Sequence, residues 1–232
     1  MKWPAVFRKS LVATAMAVPL FLTLAPAFPG AAVFGPGQAK EVGLVPGLTQ
    51  RERADIVKGK IVVRDIPNPG RPGKTFEALG VLPGGLDEAF VVISDYRCYP
   101  EFMPQVKRAV VREEREGLCV VEILLGLPLG YSKQYRLKYR ASRSAESFEV
   151  SWEMVPWPGL DPGDTIKDTS GHWLVSRFEA GGVLAAYRVY TDPGPVPLGL
   201  TDLAQALGKK GMAAVIEKTR RRIRSIFSPV SR

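Results

Sequence analysis

Two consecutive runs alternate apolar with polar side chains at a period of two. Tyr131, Tyr135, Leu137 and Tyr139 fall on one side of the first run, with Lys133 as the exception. Ser132, Gln134, Arg136, Lys138 and Arg140 fall on the other. In the second run Phe148, Val150, Trp152 and Met154 alternate with Ser147, Glu149, Ser151 and Glu153. A helix scatters residues spaced by two around its circumference, whereas a strand keeps them on one face. The pattern therefore demands a sheet with one buried and one wetted face. Further strands are expected at 60–65, 76–82, 106–113, 118–127, 173–178 and 183–191. Most links between them are short and hold Gly or polar residues, such as Glu116-Gly117 and Ala180-Gly181-Gly182. Such links join antiparallel strands and are too short for crossovers.

A one-faced sheet needs a cover. From Thr201 to about residue 227, Leu203, Leu207, Met212, Val215, Ile216, Thr219, Ile223 and Ile226 form one stripe at helical spacing. Thr201 reads as the N-cap, with Asp202 in the first turn. Gly208 and Gly211 weaken the first half by roughly 1 kcal/mol each relative to Ala. They mark a bend or a close approach of the backbone. A shorter helix is expected over 86–94. The class is thus α+β: a curved antiparallel sheet of about seven strands wrapped on a long C-terminal helix, with two short helices after the first strand.

The N-terminus has a different character. Lys2, Arg8 and Lys9 precede an apolar stretch over 11–25, and no acid lies before Glu41. Ala25-Pro26-Ala27 has the small-x-small form of a signal-peptidase site, and Ala32 offers a second one. Residues 1–27 are expected to be a signal peptide. The alternative is an uncleaved anchor through residues 11–27, but the apolar stretch is shorter than the roughly 20 residues of a bilayer span and Pro19 interrupts it. Either way the folded part is expected to be exported, to the periplasm or beyond. Loss of the three leader cations takes the net charge from +9 to +6. Residues 28–58 read as a Gly/Pro-rich linker with a short helix at 50–58, announced by the capping box Thr49-x-x-Glu52. The main domain spans 59–228.

The segment Ser94-Asp95-Tyr96-Arg97-Cys98-Tyr99-Pro100-Glu101-Phe102-Met103-Pro104 resembles the D-Y-x-x-Y-P-x-F-x-P segment of the polyketide cyclase/coenzyme-Q-binding branch of the START-like (SRPBCC, Bet v 1-like) superfamily. Trp173-Leu174-Val175, the strand from Tyr187 to Thr191, the Pro-rich turn after it and the long last helix are similar too. The resemblance covers roughly 59–227. It implies a helix-grip fold with a cavity between sheet and helix for a lipid, quinone, sterol or polyketide-like molecule. It does not account for the inserts at 157–164 and 192–199, which are expected where such cavities open.

Tyr135, Leu137, Tyr139, Phe148, Val150, Trp152, Trp173 and Tyr187 are the candidate ligand-binding residues. They share the inner face, and Tyr and Trp join a large apolar surface to one polar handle. No residue stands out as catalytic, no metal site of ordinary type is spelled by one histidine and two cysteines, and no cofactor motif is present. His172 falls on the face opposite Trp173 and reads as a polar residue at a strand start. Asp95 reads as a turn or cap residue. Asp161 and Asp164 read as loop carboxylates. The pairing of Cys98 with Cys119 is left open.

Lys218, Arg220, Arg221, Arg222 and Arg224 form a basic tail. An anionic membrane surface is its candidate partner, and a solvated helix end the plainer reading. Export argues against nucleic acid. The expected function is binding or transfer of an apolar molecule. Alternatives are a cyclase or dehydratase acting on a polyketide-like substrate, and an interaction module whose sheet face is fully packed.

Overall fold

The computed structural model describes residues 47–127, 130–194 and 208–228. The leader, most of the linker, the 195–199 part of the second insert and the Thr201 cap lie outside these residues. The order is α1 (Gln50–Val57), β1 (Val62–Ile66), β2 (Lys74–Leu82), α2 (Leu86–Ser94), a 3-10 turn (Tyr96–Cys98), α3 (Tyr99–Phe102), β3 (Val106–Arg115), β4 (Leu118–Gly126), β5 (Ser132–Arg143), β6 (Ser147–Val155), a second 3-10 turn (Pro162–Asp164), β7 (Asp168–Arg177), β8 (Val183–Asp192) and α4 (Lys209–Phe227). One antiparallel sheet carries the strands in the order β1-β2-β8-β7-β6-β5-β4-β3. It has eight strands rather than about seven, and α2 and α3 follow the second strand rather than the first. The reason is that β1 and β2 are separate arms of one hairpin, from Val62↔Leu79 to Ile66↔Thr75.

The period-two pattern sets the two faces. Leu137, Tyr139, Phe148, Val150 and Trp152 are buried on the inner face, while their neighbours Arg140 and Glu153 pair across the outer face at 2.8 Å. Tyr131 breaks the pattern: it precedes β5 and is 53% exposed. Lys133, polar on the inner side, reaches the end of the sheet, where its Nζ donates to the carbonyl of Gly163. Strand β7 begins at Asp168, five residues before the expected start, because Thr169 and Gly171 pair with Thr191 and Val189 of β8. His172 therefore sits within a strand, not at its start.

Helix α4 lies across the inner face with Met212, Val215, Ile216, Thr219 and Ile223 buried. Ile216 and Ile223 join one core with Phe90, Ile93, Tyr96, Tyr99 and Phe102 from α2, α3 and the turn between them. The Tyr99 hydroxyl donates to the carbonyl of Ile93 at 2.7 Å, which locks that turn. Asp95 caps α2, and its carbonyl accepts from the Cys98 amide at 3.2 Å.

The outer face is covered on one side only. The expected capping box is present: Thr49 Oγ1 accepts from the Glu52 amide and Glu52 accepts from the Thr49 amide. It starts α1, whose Ile56 packs on Leu79, Leu174, Leu184 and Ala186. Glu52 binds Arg64 at 2.7 Å. Arg64 in turn meets Glu77 at 3.0 Å, and Arg188 meets Glu77 at 2.7 Å from the other side. Glu77 is fully buried. Two guanidinium groups are what make a carboxylate tolerable there.

Candidate functional site: a cavity between sheet and terminal helix

The inner face does not fill completely. A cavity of about 150 Å³ remains between β4–β8, the start of α4 and the α3–β3 junction. Six of the eight residues singled out from the sequence border it: Tyr135, Leu137, Tyr139, Trp152, Trp173 and Tyr187. Phe148 and Val150 do not. They lie farther along the same face, fully buried, and Phe148 meets Phe90 of α2 edge-on at 5.2 Å. Helix α2 thus plugs one end of the sheet, and the space survives at the other.

The aromatic residues form a continuous wall. Trp173 and Tyr187 are register partners with ring centroids 4.6 Å apart. Tyr187 stacks on Trp152 at 5.6 Å, Trp152 meets Tyr139 at 5.9 Å, and Tyr139 stacks on Tyr96 at 4.2 Å. Each such pair adds about 0.5–1.5 kcal/mol beyond area burial, so this wall is rigid. Gly171 makes room for it. Trp152 and Gly171 are register partners, and a Cβ on Gly171 would come within 2.5 Å of the indole and 2.2 Å of the Arg188 carbonyl.

Residues outside the period-two runs complete the lining. Met103, Pro104, Gln105 and Val106 come from the α3–β3 junction, Ile166 from the link between the first insert and β7, Thr169 from β7, and Gly211, Met212 and Val215 from α4. Gly211 thus borders the cavity, and Gly208 caps the helix. Gln105 is the residue that sequence reasoning missed. Its φ is +63°, and it stands alone among the described non-glycine residues in the left-handed region, at a cost of about 1–2 kcal/mol. Its carbonyl accepts from the Gly126 amide at 2.8 Å, which holds the strained turn. The sequence carried no signal for it, because Gln is not a residue that prefers that conformation.

The chemistry of the lining is uniform. Among the described residues, no Lys, Arg, His, Asp or Glu borders the cavity. Burial raises the Tyr99, Tyr135, Tyr139 and Tyr187 hydroxyls above the ordinary phenol value of 10, and neighbouring tyrosines reinforce this for the first three. At neutral pH all four are protonated donors. Tyr99 spends its proton on Ile93. Thr169 Oγ1 donates to the Tyr190 carbonyl at 2.8 Å.

The other candidates lie elsewhere. His172 is on the outer face opposite Arg188 and Ser151. Burial lowers its pKa below 6.5, with Glu149 opposing. Asp161 accepts from the Gly163 amide at 2.6 Å and caps its own turn. Cys98 and Cys119 are free thiols; burial pushes both up to about 12, with Asp95 and Glu101 adding to the effect on Cys98 and Glu114 on Cys119. In the basic tail, Lys218, Arg221 and Arg224 are exposed. Arg220 departs from that face. It is buried, with Nε donating to Val81 O at 2.7 Å and Nη1 to Gly59 O at 3.1 Å. A carbonyl near the end of β2 and one in the α1–β1 loop draw it inward. Arg222 pairs with Glu101 at 2.8 Å.

The family described as "Polyketide cyclase / dehydrase and lipid transport" matches residues 83–184. Among curated protein sequences no relative matches. Among solved structures, a STAR-related lipid transfer protein from Xanthomonas axonopodis is similar at a TM-score of 0.61 and 19% identity, over 71% of this chain and 93% of that one. Human StAR-related lipid transfer protein 5 is similar at 0.59 and 12%, over 72% and 83%. The Zhui aromatase/cyclase from Streptomyces is similar at 0.52 and 13%, over 72% and 98%. At these identities the likeness is one of fold.

Proposed function

We propose, from the family match over residues 83–184 and the likeness of fold to START-related structures, that this chain is an exported protein that binds or carries an apolar or amphipathic small molecule. One observation carries the reading: an aromatic cavity, uncharged among its described lining residues, sits under the terminal helix where six inner-face residues converge. Burial of apolar surface supplies the affinity, at about 25 cal/mol per Å² before the costs of association. Tyr135, Tyr139 and Tyr187 orient the ligand. The names of the similar structures, lipid transfer proteins and an aromatase/cyclase, are consistent with this. We favour binding over a cyclase or dehydratase reaction because the described lining offers hydrogen-bond donors and no carboxylate or imidazole to move a proton.

Entry and exit would pass the start of α4 and the 157–164 insert, two residues beyond which Ile166 borders the cavity. The exposed Lys218, Arg221 and Arg224 would face an anionic membrane during transfer. The leader at residues 1–27 is the basis for export; cell fractionation with N-terminal sequencing tests it. The binding reading is tested by native mass spectrometry of the protein purified from its exporting host, with solvent extraction. An apolar molecule at near-stoichiometric occupancy supports it. An empty protein that ignores a panel of apolar ligands overturns it.

A further inference from the structure

A second cleft, of about 370 Å³, opens at the opposite end of the sheet, where α1, the end of β2, the β7–β8 turn and the last turns of α4 meet. It shares no lining residue with the inner cavity, and its volume falls within the roughly 300–1,000 Å³ of small-molecule sites. Ile56, Val57 and Phe178 give it an apolar side. Arg220 and Arg224 are its charged residues, and among the described residues no Asp or Glu borders it. The Arg220 guanidinium stands at the wall itself: Nε and Nη1 donate to the carbonyls of Val81 and Gly59, and both of those residues border the cleft. These bonds fix the group in place. Arg224 lies one turn further along α4, and two like charges at that spacing repel. Glu217 offsets them only in part, since it divides between Arg220 at 3.5 Å and Arg221 at 3.2 Å.

We propose that this cleft is a second binding site, for a small soluble phosphate monoester. The phosphate sits against Arg220 and Arg224, and a short apolar body lies on Ile56, Val57 and Phe178. Arginine presents a planar fork of N–H donors that suits phosphate oxygens. A phosphate monoester is close to dianionic at pH 7, which matches two guanidinium charges better than a carboxylate does. Val57, 56% exposed at the cleft, is the apolar group that such a body would cover. The site is independent of what the inner cavity holds.

The test titrates the purified protein at pH 7 with butyl phosphate, inorganic phosphate and butanol, read by calorimetry or ligand-observed NMR. Salt is held at about 50 mM to limit screening. Butyl phosphate is expected to bind at least about tenfold tighter than butanol, from charge-assisted hydrogen bonds, and about tenfold tighter than inorganic phosphate, from its apolar body. Arg224→Gln should weaken it about tenfold, and Val57→Glu, which sets a carboxylate at the cleft, by at least as much. Arg115→Gln removes the same charge from the exposed end of β3 and should change nothing. Val57 and Arg224 are exposed, so both variants should fold; if Val57→Glu does not, Arg224→Gln decides. Butanol equal to butyl phosphate overturns the proposal, as does an equal loss in Arg115→Gln. Phosphatidylglycerol vesicles should leave butyl phosphate bound; displacement that depends on Arg224 would move the phosphate to a lipid headgroup and overturn the soluble ligand. A protein that retains a molecule in the inner cavity yet ignores butyl phosphate overturns this site alone.

Discussion

Replacing Gly171 with Ala tests how the cavity wall is built. The new Cβ would lie 2.2 Å from the Arg188 carbonyl and 2.5 Å from the Trp152 indole. Carbon contacts are comfortable near 3.5 Å, so the indole must shift by about 1 Å and the β7–β8 backbone must also give. The indole packs on Tyr187 and Tyr139 and borders the cavity, so the cavity is the open space into which it can shift. Overpacking of this kind costs about 1–3 kcal/mol. For a domain of this size, 2 kcal/mol lowers the melting temperature by about 4–8 °C. A ligand that needs the original wall must push the indole back, and a penalty of about 1.4 kcal/mol is a tenfold loss of affinity. Thermal melts and a binding titration on the same sample read both effects. Gly47→Ala is the control, since its Cβ would meet nothing within 4 Å. A Gly171→Ala protein that melts within 1 °C of the parent (well inside the ~4 °C expected) and holds its ligand unchanged would refute the argument.

Four further outcomes are expected. Arg188→Met leaves the buried Glu77 with Arg64 alone and should cost about 2–3 kcal/mol in urea unfolding; a change under about 0.5 kcal/mol, the usual range of a neutral surface substitution, would show that Arg64 suffices. Arg220→Met strips donors from the Val81 and Gly59 carbonyls and should cost about 2–3 kcal/mol, while affinity for a ligand of the inner cavity stays put because Arg220 does not border that cavity. Glu52, held down to about 2 from 4.5 chiefly by its hydrogen bonds from Arg64, is a depressed carboxylate: it stabilises α1 fully above pH 4.5, and this support fades as the pH falls toward 2. Hydrogen exchange in 50–57 should rise over that window, and a flat profile counts against the pairing. With thiol pKa values near 12, Cys98 and Cys119 should react with Ellman's reagent at pH 8 far more slowly in the native protein than in urea. Equal rates would place a thiolate where burial forbids one.

Alternation by itself assigned the faces. In β5 and β6, one polar and one apolar residue per pleat admits a single orientation, because a slip by one residue would turn Leu137, Tyr139, Phe148 and Val150 to water. The stripe from Met212 to Ile223, the Thr49-x-x-Glu52 box and the aromatic segment at 96–102 were legible for the same reason: each is a short-range pattern with one physical solution. What lay beyond the sequence was whatever depends on how separate elements meet. Eight inner-face residues looked alike as sequence, yet α2 fills the space beside Phe148 and Val150 while the α3–β3 junction stops short of Tyr135 and Tyr187. A cavity is the volume left after packing, and no local pattern encodes a remainder. The burial of Arg220 among two carbonyls and the left-handed turn at Gln105 belong to the same class, since both answer to partners distant in the chain or to a strained junction. Local periodicity therefore determined which side of the sheet faces inward; only the tertiary structure decided where that inward side stays open.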